Sequence, residues 1–68
     1  MEAIFKLYRS GLNRASVAAA IEADSQLIGM YERCQRFPGV KNFSRIVKLA
    51  DSRGITLLAH DFLDKGNN

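Results

Sequence analysis

The chain has 68 residues, 47% of them apolar, and carries 10 basic against 7 acidic side chains for a formal charge of +3. That length bounds it to one domain with a small core, and the apolar share excludes an intrinsically disordered chain. One cysteine, Cys34, and one histidine, His60, exclude an internal disulfide and an ordinary structural zinc site, so neither a metal nor another cofactor is expected. The longest apolar run, Val17 to Ile21, falls far short of a membrane span. The stretch Met1 to Phe5 holds an acid and no basic region of the kind a secretion signal needs. A lone thiol suits a reducing compartment, and the expected location is cytoplasmic.

Apolar spacing of three and four predicts an all-α chain, and no alternating segment suggests a strand. Ile4, Phe5, Leu7 and Tyr8 give a first helix over about Glu2 to Ser10, ended by Gly11. Asn13 is suited to cap a second helix from Arg14 to about Glu22, with Val17, Ala18 and Ile21 on one face and alanines at 18 to 20 for close approach. Asp24 or Ser25 caps a third helix running to about Arg33. Its inward face is Leu27, Ile28 and Tyr31, and its outward face is Ser25, Gln26, Gly29, Met30 and Arg33. Cys34 to Lys41, with Pro38-Gly39, reads as an ordered loop. Asn42 is the expected cap of a fourth helix striped by Phe43, Ile46, Val47 and Ala50, which Gly54 ends. Thr56 is the expected cap of a short fifth helix carrying Leu58, Phe62 and Leu63. A single domain over residues 1–64 and a polar tail over 65–68 complete the organisation.

Charge is not spread evenly. Arg33, Arg36, Lys41, Arg45 and Lys48 occupy a stretch with no Asp or Glu, which matches the footprint of a polyanion partner. A solvated basic face gives the same pattern. Two short helices separated by Glu22-Ala23-Asp24 form the pattern of a helix-turn-helix over about residues 14–33, an arrangement that sets one helix across a DNA backbone and the next in the major groove.

The segment LNRASVAAAIEADSQLIGMYERCQRFP, Leu12 to Pro38, resembles the helix-turn-helix of the Cro/lambda-repressor group, also called the xenobiotic-response-element type. The likeness rests on Gly11, Leu12, Asn13, Val17, Ala18, Ile21, Ala23, Asp24, Ile28, Tyr31, Glu32 and Pro38 at the family's spacing. It continues in Lys48-Leu49-Ala50 and in Gly54-Ile55-Thr56-Leu57. The chain departs from the family where Glu22 and Cys34 replace glycines and Arg14 replaces a glutamine.

The resemblance implies a compact five-helix domain that binds an operator in double-stranded DNA as a homodimer, a constitutive Cro-like repressor of the kind phages, prophages and plasmids use. It implies base contacts by Ser25, Gln26, Gly29, Met30 and Arg33 in the major groove. Asn13, Arg14, Arg36, Lys41, Asn42 and Arg45 are then the candidates for phosphate contacts. The four large side chains Leu57, Leu58, Phe62 and Leu63 on one short helix predict the dimer interface.

Two other functions fit the same fold. One is a protein-binding inhibitor or adaptor, using an apolar patch of Leu27, Met30 and Phe37 around the third helix. The other is an antitoxin or restriction-controller protein that binds DNA and a protein together. No glycine-rich phosphate loop, paired catalytic carboxylates or nucleophile motif is present, and enzymatic activity is not expected.

Overall fold

The computed structural model describes residues 1–63 and is all-helical, with no strand among them. Its elements are α1 (Glu2–Arg9), α2 (Arg14–Ala20), α3 (Ser25–Glu32), α4 (Val40–Ser52) and a 3-10 turn at Ala59–Phe62. The tail expected over 65–68 lies outside the described residues.

Burial follows the helical spacing. Ala3, Ile4 and Leu7 of α1, Val17 and Ala18 of α2, Ile28 and Tyr31 of α3, and Ile46 and Ala50 of α4 meet in one core with Met1, Ile21 and Phe62. α2 packs most extensively on α3, and α1 packs on α3 and on the 3-10 turn. Of the four alanines in α2, only Ala18 is buried; Ala15, Ala19 and Ala20 are exposed.

The starts of α2 and α3 are those the sequence predicts. Asn13 Oδ1 accepts from the Ser16 amide at 2.8 Å, and Asp24 Oδ1 accepts from the Gln26 amide at 3.0 Å. The ends share one geometry. In each of the four helices the residue two past the last turn is left-handed: Gly11 (φ 111), Glu22 (φ 59), Cys34 (φ 59) and Gly54 (φ 73). The next amide then reaches back to an unpaired carbonyl, as in Ala23 to Ala18 at 2.8 Å, Gln35 to Met30 at 2.9 Å and Ile55 to Ala50 at 2.9 Å. This double closure is the Schellman arrangement. At Glu22 and Cys34 a Cβ must tolerate it, which costs about 1–2 kcal/mol for each L-residue.

Two expectations are corrected. α4 begins at Val40 rather than after Asn42. Gly39 is the extended residue before it, and the first helical bond runs from the Phe43 amide to the Gly39 carbonyl at 2.7 Å. Asn42 therefore lies inside the first turn, and its Nδ2 donates to the Tyr31 hydroxyl at 3.2 Å.

The expected fifth helix is a single 3-10 turn, and Thr56 caps nothing. The chain from Ile55 runs irregularly, so that Ile55 and Leu57 reach the core. It is then fixed by Asp61, whose carboxylate accepts from the Leu58 amide and from Lys6 Nζ, both at 2.8 Å. Phe62 is buried there with its ring 4.6 Å from that of Phe43, centre to centre.

Thermal or denaturant unfolding checks the helix ends. Gly54→Ala, where a Cβ meets no atom, is expected to lose about 1–2 kcal/mol through backbone strain alone. Glu22→Gly is expected to gain up to about 1 kcal/mol, the strain relieved less the added freedom of the unfolded chain. Asp61→Ala strands the Leu58 amide, leaves Lys6 only its longer bond to the Thr56 carbonyl, and is expected to cost about 1–3 kcal/mol. Burial raises the Asp61 carboxyl, but the Leu58 amide and Lys6 outweigh it and hold the pKa below its usual value. Its stabilisation is therefore present above about pH 4 and lost as the pH falls further, a dependence that Asp61→Asn flattens.

Candidate nucleic-acid interface

On the outward side of α3, Ser25, Gln26 and Arg33 are exposed and Met30 is half-buried. Gly29 departs from this set. It is buried, because the guanidinium groups of Arg14 and Arg33 lie over it. A glycine has no side chain to hold its neighbours off, so long side chains from either side close across it.

Arg14 is itself anchored. Its Nε and Nη2 donate to the two oxygens of Glu32 at 3.0 and 2.8 Å, a two-point match of fork to carboxylate. The Tyr8 hydroxyl donates to the same carboxylate. Thus α1, α2 and α3 are joined by one polar group of three residues. Hydrogen bonds from Arg14 hold the Glu32 carboxyl below its usual pKa against the opposing effect of burial. Burial first, and then the bond to Glu32, push the Tyr8 phenol up to about 12. The bond to Glu32 likewise raises Arg14 above the ordinary arginine value.

The remaining cations divide in two. Some close helix ends: Arg45 Nη1 donates to the Ile21 carbonyl at 3.0 Å beyond α2, and Arg53 donates to the Ser10 carbonyl at 2.8 Å beyond α1. The Met1 ammonium does the same for Glu32 at the end of α3, at 2.7 Å. Lys6 pairs with Asp61 and Arg9 with Glu2. Among the described residues, Arg36, Lys41 and Lys48 are exposed with neither an ion pair nor a side-chain hydrogen bond, and exposed Arg33 bonds only Gln35. All four fall in the acid-free stretch.

Three expected phosphate contacts are therefore engaged within the protein. Arg14 binds Glu32, Asn42 binds Tyr31, and half-buried Arg45 holds the end of α2 with Glu22 3.8 Å away. Asn13 is exposed, though its oxygen also accepts from the Ser16 hydroxyl at 2.9 Å. Arg36 and Lys41 stand free.

The expected interface residues separate as well. Phe62 belongs to the core and Leu57 packs against it, whereas Leu58 and Leu63 are 48% and 58% exposed. Sequence reasoning missed Tyr8, Lys6 and Asp61, whose side-chain partners lie 24 or more positions away along the chain. An acid three residues after the chain leaves its helical pattern, as Asp61 follows Leu58, is the one local signal available.

Among the described residues no group of His, Cys, Asp and Glu is placed to hold a metal ion, and no helix is long and apolar enough to cross a membrane. No protein-family model matches the chain, and comparison with curated proteins and with solved structures gives no match.

The network has a spectroscopic check. Ultraviolet titration is expected to show a phenol ionising near pH 12, absent in Tyr8→Phe and moved toward the usual value in Glu32→Gln. Because the folded state raises this pKa, the associated stability is complete below about pH 10 and is lost as the pH rises toward 12.

Proposed function

We propose that the chain is a sequence-specific double-stranded DNA-binding transcriptional regulator of the Cro/lambda-repressor kind, a repressor acting as a homodimer. The observation that carries this reading is the pairing of α2 with α3. Two short helices are packed together through a left-handed turn, and the outward side of the second displays Ser25, Gln26, Met30 and Arg33. The uncompensated cations come directly after it in the chain. The left-handed conformations of Glu22 and Cys34 support the family resemblance, since these are the two places where the chain replaces a glycine of the family.

In this reading α3 enters the major groove. Gln26 is placed to make a bidentate contact with adenine, and Met30 packs on a thymine methyl. Arg36 and Lys41 contact phosphates and carry no sequence information. Leu58 and Leu63, the exposed pair near the 3-10 turn, bury against a second copy, giving a self-complementary contact about a two-fold axis. A two-fold dimer sets two copies of α3 about one helical turn of DNA apart, roughly 34 Å.

A second reading has its own observation. Phe37 and Val40 are 55% and 90% exposed beside Arg36 and Lys41, an apolar surface that a protein partner would cover.

Selection of bound sequences from a random duplex library separates the two. DNA binding predicts enrichment of a two-fold-symmetric motif; recovery of no motif together with no retained duplex would sink it. On the selected site, Gln26→Ala is expected to lose about 1–3 kcal/mol of preference at one base pair. Lys41→Ala should weaken every duplex alike and lower the salt slope by about one. In sedimentation, a Leu58→Lys, Leu63→Lys variant is expected to be monomeric where the wild type is dimeric. A wild type that stays monomeric both free and on a palindromic duplex would refute the dimer.

A further inference from the structure

Gly29 lies on the side of α3 assigned to the partner, yet it is buried, and the nearest atoms over it belong to two arginines. A Cβ built there would stand 3.5 Å from Arg14 Cζ and Nη1 and 3.5 Å from Arg33 Nη1. Two positive groups thus come within contact of the same point on a bare stretch of helix.

Each is held by its other edge. Arg14 gives Nε and Nη2 to Glu32, and Arg33 gives Nε to Gln35 at 3.1 Å. The Nη1 atoms that converge over Gly29 make no hydrogen bond among the described residues. Glu32 is the carboxylate beside them; its ion pair is with Arg14, and Arg33, which acts on it only through space, makes no ion pair of its own among the described residues. Like charges at this spacing repel, and a tetrahedral oxyanion seated between them would turn that repulsion into two charge-assisted contacts.

We propose that Arg14 and Arg33 form a two-guanidinium clamp for a single phosphate group, seated on Gly29, with Glu32 as the residue that positions Arg14. The source of the phosphate is a phosphodiester of the DNA backbone, and in that respect the clamp rests on the DNA-binding reading. It reassigns Arg33 from a base edge to the backbone. It also gives Gly29 a role other than contact with a base: side chains longer than alanine would force the two arginines apart.

The test uses the full chain labelled with nitrogen-15 and two probes, inorganic phosphate at low ionic strength and a mixed-sequence duplex. Phosphate is expected to shift the Arg14 and Arg33 Nε–H signals and the Gly29 amide together. Gly29→Ala, whose Cβ sits at ordinary contact distance from both arginines, is expected to keep that response. Gly29→Leu retains every charge and a good helix former but fills the seat. It is expected to lose the phosphate response and about tenfold in duplex affinity. Arg14→Gln and Arg33→Gln should each weaken duplexes of any sequence, the double variant losing less than the product of the two, because one phosphate is given up in all three.

A Gly29→Leu protein that responds to phosphate like the wild type overturns the clamp. So does an Arg33→Gln variant that alters preference at one base pair while its affinity for other duplexes is unchanged. A coupled phosphate response without any duplex binding upholds the clamp and refutes the DNA reading. Duplex binding with no phosphate response upholds the reading and refutes the clamp.

Discussion

Short helices are costly to end. In an α-helix the last four carbonyls have no partner inside the helix, so in α1, α2 and α3, of eight, seven and eight residues, about half of all carbonyls depend on groups outside the helix. Each of these helices meets the problem in two ways at once. A left-handed residue turns the chain so that later amides bond back onto the final turn, and a cation approaches a carbonyl left over. Arg53 serves α1, Arg45 serves α2 and the Met1 ammonium serves α3. Positive charge at a helix C-terminus also opposes the negative end of the helix dipole. Arg45 lies within α4 and Arg53 directly after it, so α4 is bound to α1 and α2 by closing their ends as well as by burying Ile46 and Ala50 in the shared core.

That use of cations shapes the surface. A chain with 10 basic residues and a modest formal charge suggests a diffuse excess. The structure sorts it: Arg45 and Arg53 close helix ends, Lys6, Arg9 and Arg14 pair with acids, and the described cations left with no partner of opposite charge or helix end run from Arg33 to Lys48. The excess is therefore local, beginning at the end of α3. A net charge of the same size spread around the molecule would lend little support to a polyanion partner; confined to the chain that runs from the end of α3 into α4, it supports one.

Much of the fold was legible in the sequence, and the reasons are local ones. Side chains that cap their own helix, Asn13 and Asp24, act across two or three residues, and the apolar spacing of α1 through α4 reports most of the buried face, with Phe5 and Phe43 at its exposed margin. The failures share the opposite property. Asn42 is as good a cap in isolation as Asn13, but the helix already begins at Val40, and Asn42 turns its amide to the Tyr31 hydroxyl eleven positions earlier. Thr56 and the leucines after it read as a helix until Lys6, fifty-five positions before Asp61, supplies a partner that fixes a tighter turn. At the candidate interface the side of α3 was legible but its composition was not. Arg14 and Arg45 look like solvated cations to a pattern of single residues, and only the folded chain brings Glu32 and the Ile21 carbonyl to them.

Arg14 shows most clearly why such a residue escapes a one-residue reading. A side-chain amide at this position would have one donor and one acceptor group, and binding Glu32 would use the donor. A guanidinium carries five N–H groups in a rigid plane. Two of its nitrogens face the Glu32 carboxylate and tie α2 to α3, and the rigidity of the fork then fixes where the third nitrogen lies. Here it lies over Gly29, where any long side chain would have stood in its way. The structural bond and the exposed edge are therefore not alternatives. Because the first is made, the second is held in place at the surface of α3, and the absence of a side chain at Gly29 keeps that place open.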